Sequence, residues 1–600
     1  MIFSKPDLSY DFACRKEYLL VSGDCYSSSS LAGNTRKYHG VLVKDGYVLL
    51  STVDEIVDGC RISRAIYRDA VVCPDIYSYF HPARFCYWVD GVLVERRVEL
   101  GKNTARIFYR ASDRVKFELL PLLAMRSVHS VRKDFEDVKR NVSSLDGSGF
   151  VAKGLYNLRL EVRVHDTGER DEGSEGDRGV ESRRVDYIYY DVFYPRDCER
   201  GYECCENLYS PYLFSAVCKS IELIASVEGY PTESEGDKGE WKKAMGERVL
   251  RVFTPESMLE RACDAFLRDE TVVAGYHWFT ESWGRDTFVS LPGLLLERGM
   301  FGQARKVFLY FARRMKDGLI PNRIGREVTY NSSDASLWFI YALGKYMEKT
   351  GDKEFLYRIK VYLEELFSSY PESDVAELKG KLIKVKPQTT WMDTVFTPRE
   401  GKPVEINALW INALAFAERY GIEVEQDWRE TLKEFWKTFW NGSYLNDLEN
   451  DSSFRPNQVI ALAIITGILK DAGSDVGDMR EEIIGNSGSV IELCDKKLLT
   501  PFGLRTLSRD DENYVGRYCG DRSYHNGCVW PWLIGFYFDL RKNAGMSLDR
   551  SLLNPLLSHL YDCGIGFVSE IFDGDKPYNP NGCIAQAWSV AELYRALKMC

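Results

Sequence analysis

Residues 389–414, TTWMDTVFTPREGKPVEINALWINAL, run from a polar, tryptophan-bearing approach into an apolar helix, and the repetition of that unit decides the fold. Pro403 suits the first position of the helix, and Glu405 falls in its first turn, where the helix dipole favours an acid. From about residue 255 onward the apolar residues recur with a period of 3.6. This gives twelve helical patterns, starting near residues 256, 286, 301, 334, 353, 403, 424, 456, 476, 525, 547 and 583. Polar motifs precede every second one: WFTESWGRDT (278–287), YNSSD (330–334), the stretch from 389, RPNQ (455–458), TPFGLRTLSRDDENYVGRYCGDRSYH (500–525) and SEIFDGDKPYNPNGC (569–583). All six lie on odd-to-even connections. With odd and even helices running in opposite directions, those connections gather at one end and point to one shared site. Helices paired in this way stack as a bundle, a solenoid or a closed (α/α)6 toroid.

The first part of the chain has a different period. Segments such as VLVERRVEL (92–100), LRLEVRV (158–164) and VDYIYYDVFY (185–194) alternate apolar and polar residues, as half-buried antiparallel strands do. Between the last two lies HDTGERDEGSEGDRGVESRR (165–184), charged and Gly-rich with nothing to bury, which reads as a solvated loop. Six hundred residues with 45% apolar content exceed one ordinary core. The chain is therefore expected to be multidomain, with an N-terminal antiparallel β-sandwich over residues 1–250 and an all-α domain over 251–600.

Composition narrows the ligand. A net charge of −11 argues against nucleic acid, whose binders carry a basic stripe, and favours a neutral partner. Of 13 tryptophans only Trp88 and Trp241 precede residue 251; aromatic faces suit the apolar faces of sugars, although core packing also consumes them. The longest strongly apolar run, Val459–Leu469, is about half of a bilayer span, so no membrane segment is expected. The start, MIFSKPDLSYDF, lacks the pattern of a secretory signal, and a cytoplasmic location is expected. The 16 cysteines are dispersed, with one vicinal pair (Cys204, Cys205) and no CxxC, and read as reduced packing residues. There is no P-loop, HExxH, GxSxG or dinucleotide fingerprint, and no metal or cofactor is called for. Asp573-Gly-Asp575 has two acids without the rest of a calcium loop.

Acidic residues with aromatic neighbours and a neutral ligand point to glycoside hydrolysis, which needs one carboxyl to protonate the leaving oxygen and another to activate water. Asp393, flanked by Trp391, Met392 and Phe396, is the candidate acid. Its neighbours are expected to form an apolar environment that keeps it protonated near neutral pH; a capping role competes evenly. Glu570, on the last odd-to-even connection, is the candidate base. Glu405 competes, but its place in a first helical turn favours a structural role. Trp283, Arg285 and Asp286 sit at a helix entrance, as does Asp334, where capping is the ordinary explanation. A lone His525 is more often structural than a hydroxyl ligand.

Taken together, ESWGRDTFVSLPGLLL, NSSDASLWFIYAL, the stretch from 389, RPNQVIALA, LLTPFGLRTLS, YHNGCVWPWLIGFY and GCIAQAWSVAELYRAL, in order over residues 281–597, resemble the amylo-α-1,6-glucosidase domain of glycogen debranching enzymes in its archaeal and bacterial single-activity form. EYLLVSGDCYSSSSLAGNTRKYHGVLV (17–43) is similar to the β-rich domain that precedes it in such proteins. The resemblance implies an (α/α)6 toroid and an inverting mechanism that removes glucose held by an α-1,6 bond at a branch point of glycogen or a related α-glucan. It also implies Asp393 as acid and Glu570 as base, with Trp283, Arg285, Asp286, Asp334 and His525 around the terminal glucose. Trp283, Trp391 and Trp530 are expected to supply stacking faces, and Arg399 and Glu405 complete the substrate-binding set. GNTRKYHG (33–40) is a candidate glucan-contact loop, equally explained as a turn between strands. The alternatives are a glucoamylase- or trehalase-like glucosidase on the same fold, and a glucan-binding protein without catalysis.

Overall fold

A computed structural model of the chain describes residues 2–4, 10–67, 70–72, 76–145, 147–165, 179–230, 254–472 and 476–600. They divide into two compact units, Met1–Thr254 with Tyr561–Ile565, and Pro255–Leu560 with Gly566–Cys600. The boundary expected at 250/251 and residues 166–178 of the charged loop lie outside the described residues.

The first unit is an antiparallel sheet organised by two long strands, Thr104–Ser127 and Cys205–Val227, which pair with each other. Each changes its outer neighbour along its length. The first half of Thr104–Ser127 pairs with Val92–Gly101 and the second with Tyr47–Val57. Cys205–Val227 pairs with Glu181–Phe193 early and with Leu158–Val164 late. Register shifts between Arg110 and Val115 and between Leu119 and Leu123 mark where the pair bends. Strand Val92–Gly101 packs across the interior on Glu17–Ser22 and Cys25–Ser30. The GNTRKYHG segment is buried between Cys25–Ser30 and Gly40–Lys44: Arg36 Nε donates to Glu17 Oε1 (3.0 Å), Lys37 N to Asp197 Oδ2 (2.6 Å) and Asn34 to Ser51. Its side chains are spent on the interior of this unit.

The second unit holds, apart from a single turn at Asp521–Tyr524, twelve helices among the described residues: α1 (Pro255–Ala265), α2 (Gly284–Leu294), α3 (Phe301–Ala312), α4 (Ala335–Thr350), α5 (Lys353–Ser369), α6 (Val404–Tyr420), α7 (Trp428–Phe439), α8 (Asn457–Asp471), α9 (Gly477–Lys497), α10 (Leu533–Asn543), α11 (Asn554–His559) and α12 (Ala587–Met599). Two starts fall well after their expected positions. The residues before α10 are taken by strand Val529–Trp530, paired with Gly503–Arg505, so the helix begins only past Pro531. A 3₁₀ turn at Arg550–Leu553 delays α11 in the same way.

The even helices are inner and the odd ones outer. Packing runs α2–α4–α6–α8–α10–α12 and returns from α12 to α2, so the inner contacts close on themselves. Burial follows from that placement. Every residue of α2 is buried, whereas α7 buries one stripe, Trp428, Thr431, Leu432, Phe435, Trp436 and Phe439, at the spacing of a single face. The apolar run at Val459–Leu469 belongs to inner helix α8, and among the described residues no helix is long and apolar enough to cross a membrane. Even-to-odd joins are tight: Gly351 adopts φ 61° to end α4, and Asp352 caps α5 by accepting from Phe355 N.

The closure depends on a small residue. A Cβ at Gly293 on α2 would lie 2.1 Å from the Ala591 carbonyl oxygen on α12. Gly293→Val is therefore expected to destabilise the protein by about 1–3 kcal/mol in urea unfolding. Gly302→Ala, with open space at its Cβ, is expected to change stability by less than about 1 kcal/mol.

Candidate active site

The candidate side chains stand on the connections entering inner helices or in the first turn that follows. Gly284 opens α2 against the Pro321 carbonyl, 2.2 Å from where a Cβ would sit, and this close approach sets Arg285 and Asp286 in the first buried turn. Arg285 Nε donates to both oxygens of Asp334 (2.9 and 2.7 Å), Nη2 donates to Thr390 O (2.8 Å), and Nη1 reaches Asp393 Oδ2 at 3.4 Å. One guanidinium thus joins three connections.

Hydrogen bonds continue through all six. Arg399 Nε donates to Asp447 Oδ2 (2.8 Å), and Trp391 Nε1 to Asn457 Oδ1 (2.7 Å), linking the approach to α6 with that to α8. Arg455 donates to His525 O (2.6 Å) and Asn526 Oδ1 (2.9 Å), reaching the approach to α10. Tyr524 donates its hydroxyl proton to Glu570 Oε1 on the approach to α12. Gln586 Nε2 donates to Asp286 Oδ1 (3.1 Å), which returns the circuit to α2.

Three carboxyl groups share one electrostatic field here. Glu570 is buried, and its second oxygen accepts from Cys583 N at 2.7 Å; a Cβ at Gly582 would lie 2.3 Å from that oxygen. Asp286 is buried as well. Desolvation raises its pKa to about 7, with Arg285 opposing and the negative charges of Glu570 and Asp393 adding to the rise. Asp393 behaves oppositely. Its crowded surroundings push the pKa up, but His525, whose Nε2 lies 3.7 Å away, and Arg285 outweigh this and leave the carboxyl below its ordinary value. The expectation of an apolar nest that keeps Asp393 protonated is therefore corrected: its side chain is 40% exposed, between two nitrogen-bearing side chains. Burial lowers the pKa of His525, more than Asp393 raises it, so the imidazole is neutral near pH 7. Burial alone would lower Arg285, and Asp334 and Asp393 reverse the sign.

The structure brings Arg285, Asp286, Asp334, Asp393, His525 and Glu570 together. Other members of the expected set occupy different layers. Arg399 and Glu405 are buried against each other: Arg399 Nη1 and Nη2 both donate to Glu405, while its remaining N–H groups go to Asp447 and Thr390. No guanidinium donor remains for a ligand, so their expected substrate contacts are corrected to a clamp under the loop. Trp391 and Trp530 are each 2% exposed, in an aromatic cluster. Trp530 stacks on His525 (5.3 Å), and Trp391 meets His525, Trp530 and Trp532 edge-on, so their expected open stacking faces are covered. Trp283 is half-buried at the N-terminus of α2, with Phe279 5.8 Å from its ring and the Arg323 guanidinium 5.9 Å away. Asp573 accepts from Tyr518 N and two asparagine amides, which holds the last loop internally.

Sequence reasoning missed Tyr524, Gln586, Asp447 and Arg455. Tyr524 and Arg455 lay in quoted motifs, next to His525 and within RPNQ, but nothing local marks a tyrosine as a partner of a residue 46 positions away. Asp447, in LNDLEND, carries no signal.

Residues 263–595 match the family model described as amylo-alpha-1,6-glucosidase, and residues 16–224 that of the glycogen debranching enzyme N terminal. The chain is 24% identical to the glycogen debranching enzyme of Saccharomyces cerevisiae over 43% of its own length and 24% of that protein's, so it spans about a quarter of that curated relative. A protein of the human microbiome assigned as a kojibiose phosphorylase shares the fold at 8% identity, with 99% of this chain and 88% of that chain covered and a TM-score of 0.50. A rhamnosidase from Klebsiella oxytoca with rhamnose bound aligns at 12% identity over 84% of this chain and 96% of that chain, with a TM-score of 0.44.

Asp286 gives the site a measurable signature. Its folded pKa, about 7, exceeds the 3.8 of a free aspartate, so the folded state holds a proton that the unfolded state releases. Stability is expected to fall as pH rises from about 4 to about 7 and to level off above. Asp286→Asn removes this group's contribution, while Glu592, whose burial also raises its pKa to about 7, keeps its own. In denaturant titrations the variant is expected to match wild type near pH 4 and to exceed it at pH 8, by roughly 4 kcal/mol at most.

Proposed function

The chain belongs to the amylo-alpha-1,6-glucosidase family, and from that membership we propose that it is an inverting glycosidase that releases glucose from α-1,6 branch stubs of glycogen or related α-glucans. Its proposed architecture is a β-sandwich preceding an (α/α)6 toroid, in keeping with the closed cycle of inner helices. The observation that carries the reading is the convergence of Asp393 and Glu570, from connections 177 residues apart by number, on one field that also contains Asp286. Among the described residues every cysteine is a free thiol, which suits a reducing compartment, and the cytoplasm is the proposed location.

Asp393 is the proposed general acid and Glu570 the general base. The Tyr524 hydroxyl and the Cys583 N–H fix both oxygens of Glu570 as acceptors, an orientation suited to drawing a proton from water as that water attacks the anomeric carbon. Asp393 delivers its proton to the departing glycosidic oxygen. In the free protein this carboxyl is ionised, and substrate supplies what is missing: a sugar covering its exposed side removes water, and desolvation raises the pKa until the proton is held. Arg285 and Asp286 orient the hydroxyls of the terminal glucose, with Asp334 holding the guanidinium in place.

The test is a maltooligosaccharide carrying one α-1,6-glucosyl stub, beside linear maltooligosaccharide and trehalose, with the released anomer followed by proton NMR. Initial β-glucose from the stub substrate alone is expected. Initial α-glucose overturns inversion, preferential attack on the linear chain or trehalose moves the protein to the glucoamylase- or trehalase-like class, and no glucose from any of them favours a binding protein. Asp393→Asn and Glu570→Gln are each expected to lower kcat by about 10³-fold or more with folding intact.

Substrate-driven protonation of Asp393 also sets the pH profile. The basic limb of kcat, which reports the complex, is expected at higher pH than the basic limb of kcat/KM, which reports the free protein. Coincident limbs would show that substrate does not shift this carboxyl.

A further inference from the structure

Two residues past Asp393 the chain presents large apolar side chains to water. Val395 is 65% and Phe396 52% exposed, and among the described residues Phe396 is the one phenylalanine with such exposure. No aromatic ring among the described residues packs on it, whereas Trp391, His525, Trp530, Trp532 and Trp588 pack on one another. The exposure is not a frayed loop. Thr397 N donates to Thr394 O (3.0 Å), the two threonine hydroxyls share a hydrogen bond at 2.9 Å, and Gln388 N donates to Pro398 O (2.7 Å). Behind the turn, Trp391 and Arg399 are locked into the interior. A rigid turn holds two apolar groups outward beside a carboxyl that is itself open to solvent.

We propose that Val395 and Phe396 form the seat for the glucan main chain from which the branch glucose is cut, with the Phe396 ring against the C–H face of a pyranose. The proposal rests on the family reading above and deepens it. A general acid touches the oxygen of the leaving group, so the sugars of that leaving group lie on the acid's exposed flank. From Asp393 the chain reaches Phe396 within about 11 Å of Cα path, the scale of two neighbouring sugar units. The seat is neutral and apolar on its exposed side, which suits an uncharged polymer and offers nothing to phosphate or nucleic acid. Its consequence is selectivity for a branch stub on a chain over a small α-glucoside.

Phe396→Ala separates the seat from the chemistry. Two substrates are compared in steady state: the stub-bearing maltooligosaccharide, whose leaving group is a glucan chain, and α-glucosyl fluoride, whose leaving group carries no sugar. The variant is expected to lose about tenfold in kcat/KM on the first, mainly through KM, and to stay within about twofold of wild type on the second, while Phe396→Trp retains activity on both. Equal loss on both substrates, or no loss on the first, overturns the seat. Calorimetric titration of linear maltoheptaose into wild type and Phe396→Ala provides a readout independent of turnover. Should wild type cleave neither substrate, the glycosidase reading falls, and the seat still stands or falls on whether the variant loses maltoheptaose affinity. A wild-type dimer that Phe396→Ala dissociates in sedimentation, with sugar affinity unchanged, would assign the patch to a second copy of the chain and overturn the proposal.

Discussion

Everything at the site depends on how buried charge is neutralised where the connections meet. Arg399 faces Glu405 and Asp447 with all its donors engaged, and Arg455 Nε stands 3.7 Å from Asp447 Oδ2, giving two positive and two negative groups in one buried cluster. Such clusters contribute little net stability, because desolvation offsets attraction, but breaking one partner away is costly. They act as a register. The loop carrying Asp393 can adopt only the conformation in which Arg399 finds both carboxylates, and Arg399 holds φ 48° to do so.

The same rule separates the roles of the carboxyl groups above that layer. Arg285 directs N–H groups at Asp334 and Asp393, whereas Asp286, adjacent in sequence, receives one amide hydrogen bond from Gln586. Asp286 is 8% exposed and lacks a direct guanidinium bond, and burial pushes its pKa to about 7.

Much of this was legible in the sequence because the relevant signals are local and periodic. The 3.6 spacing marks α2, α4, α5 and α6 to within two residues, and the parity of the polar motifs anticipates the circuit that joins them. The strands at 92–101 and 158–164 were equally plain from alternation. What sequence did not yield is pairwise. Asp393 between Trp391 and Phe396 reads as a carboxyl in an apolar nest, but Trp391 turns inward, Phe396 turns outward, and the residues that set the charge, Arg285 and His525, lie more than a hundred positions away in either direction. Trp530 and Trp391 carried the residue type of a sugar platform, and only packing shows that their faces are taken. Strand Val529–Trp530 was hidden because two residues have no period.

Residues Tyr561–Ile565 belong to the first unit: Ile565 N donates to Glu17 O at 2.8 Å, and Lys16 Nζ donates to Tyr561 O at 3.2 Å. Synthesis proceeds from the N-terminus, so the N-terminal unit leaves the ribosome missing a piece that is translated only after eleven of the twelve helices. Its completion is thereby delayed until those eleven helices have been translated, and inner helix α12 follows it. The first unit is thus completed only after most of the second has been translated.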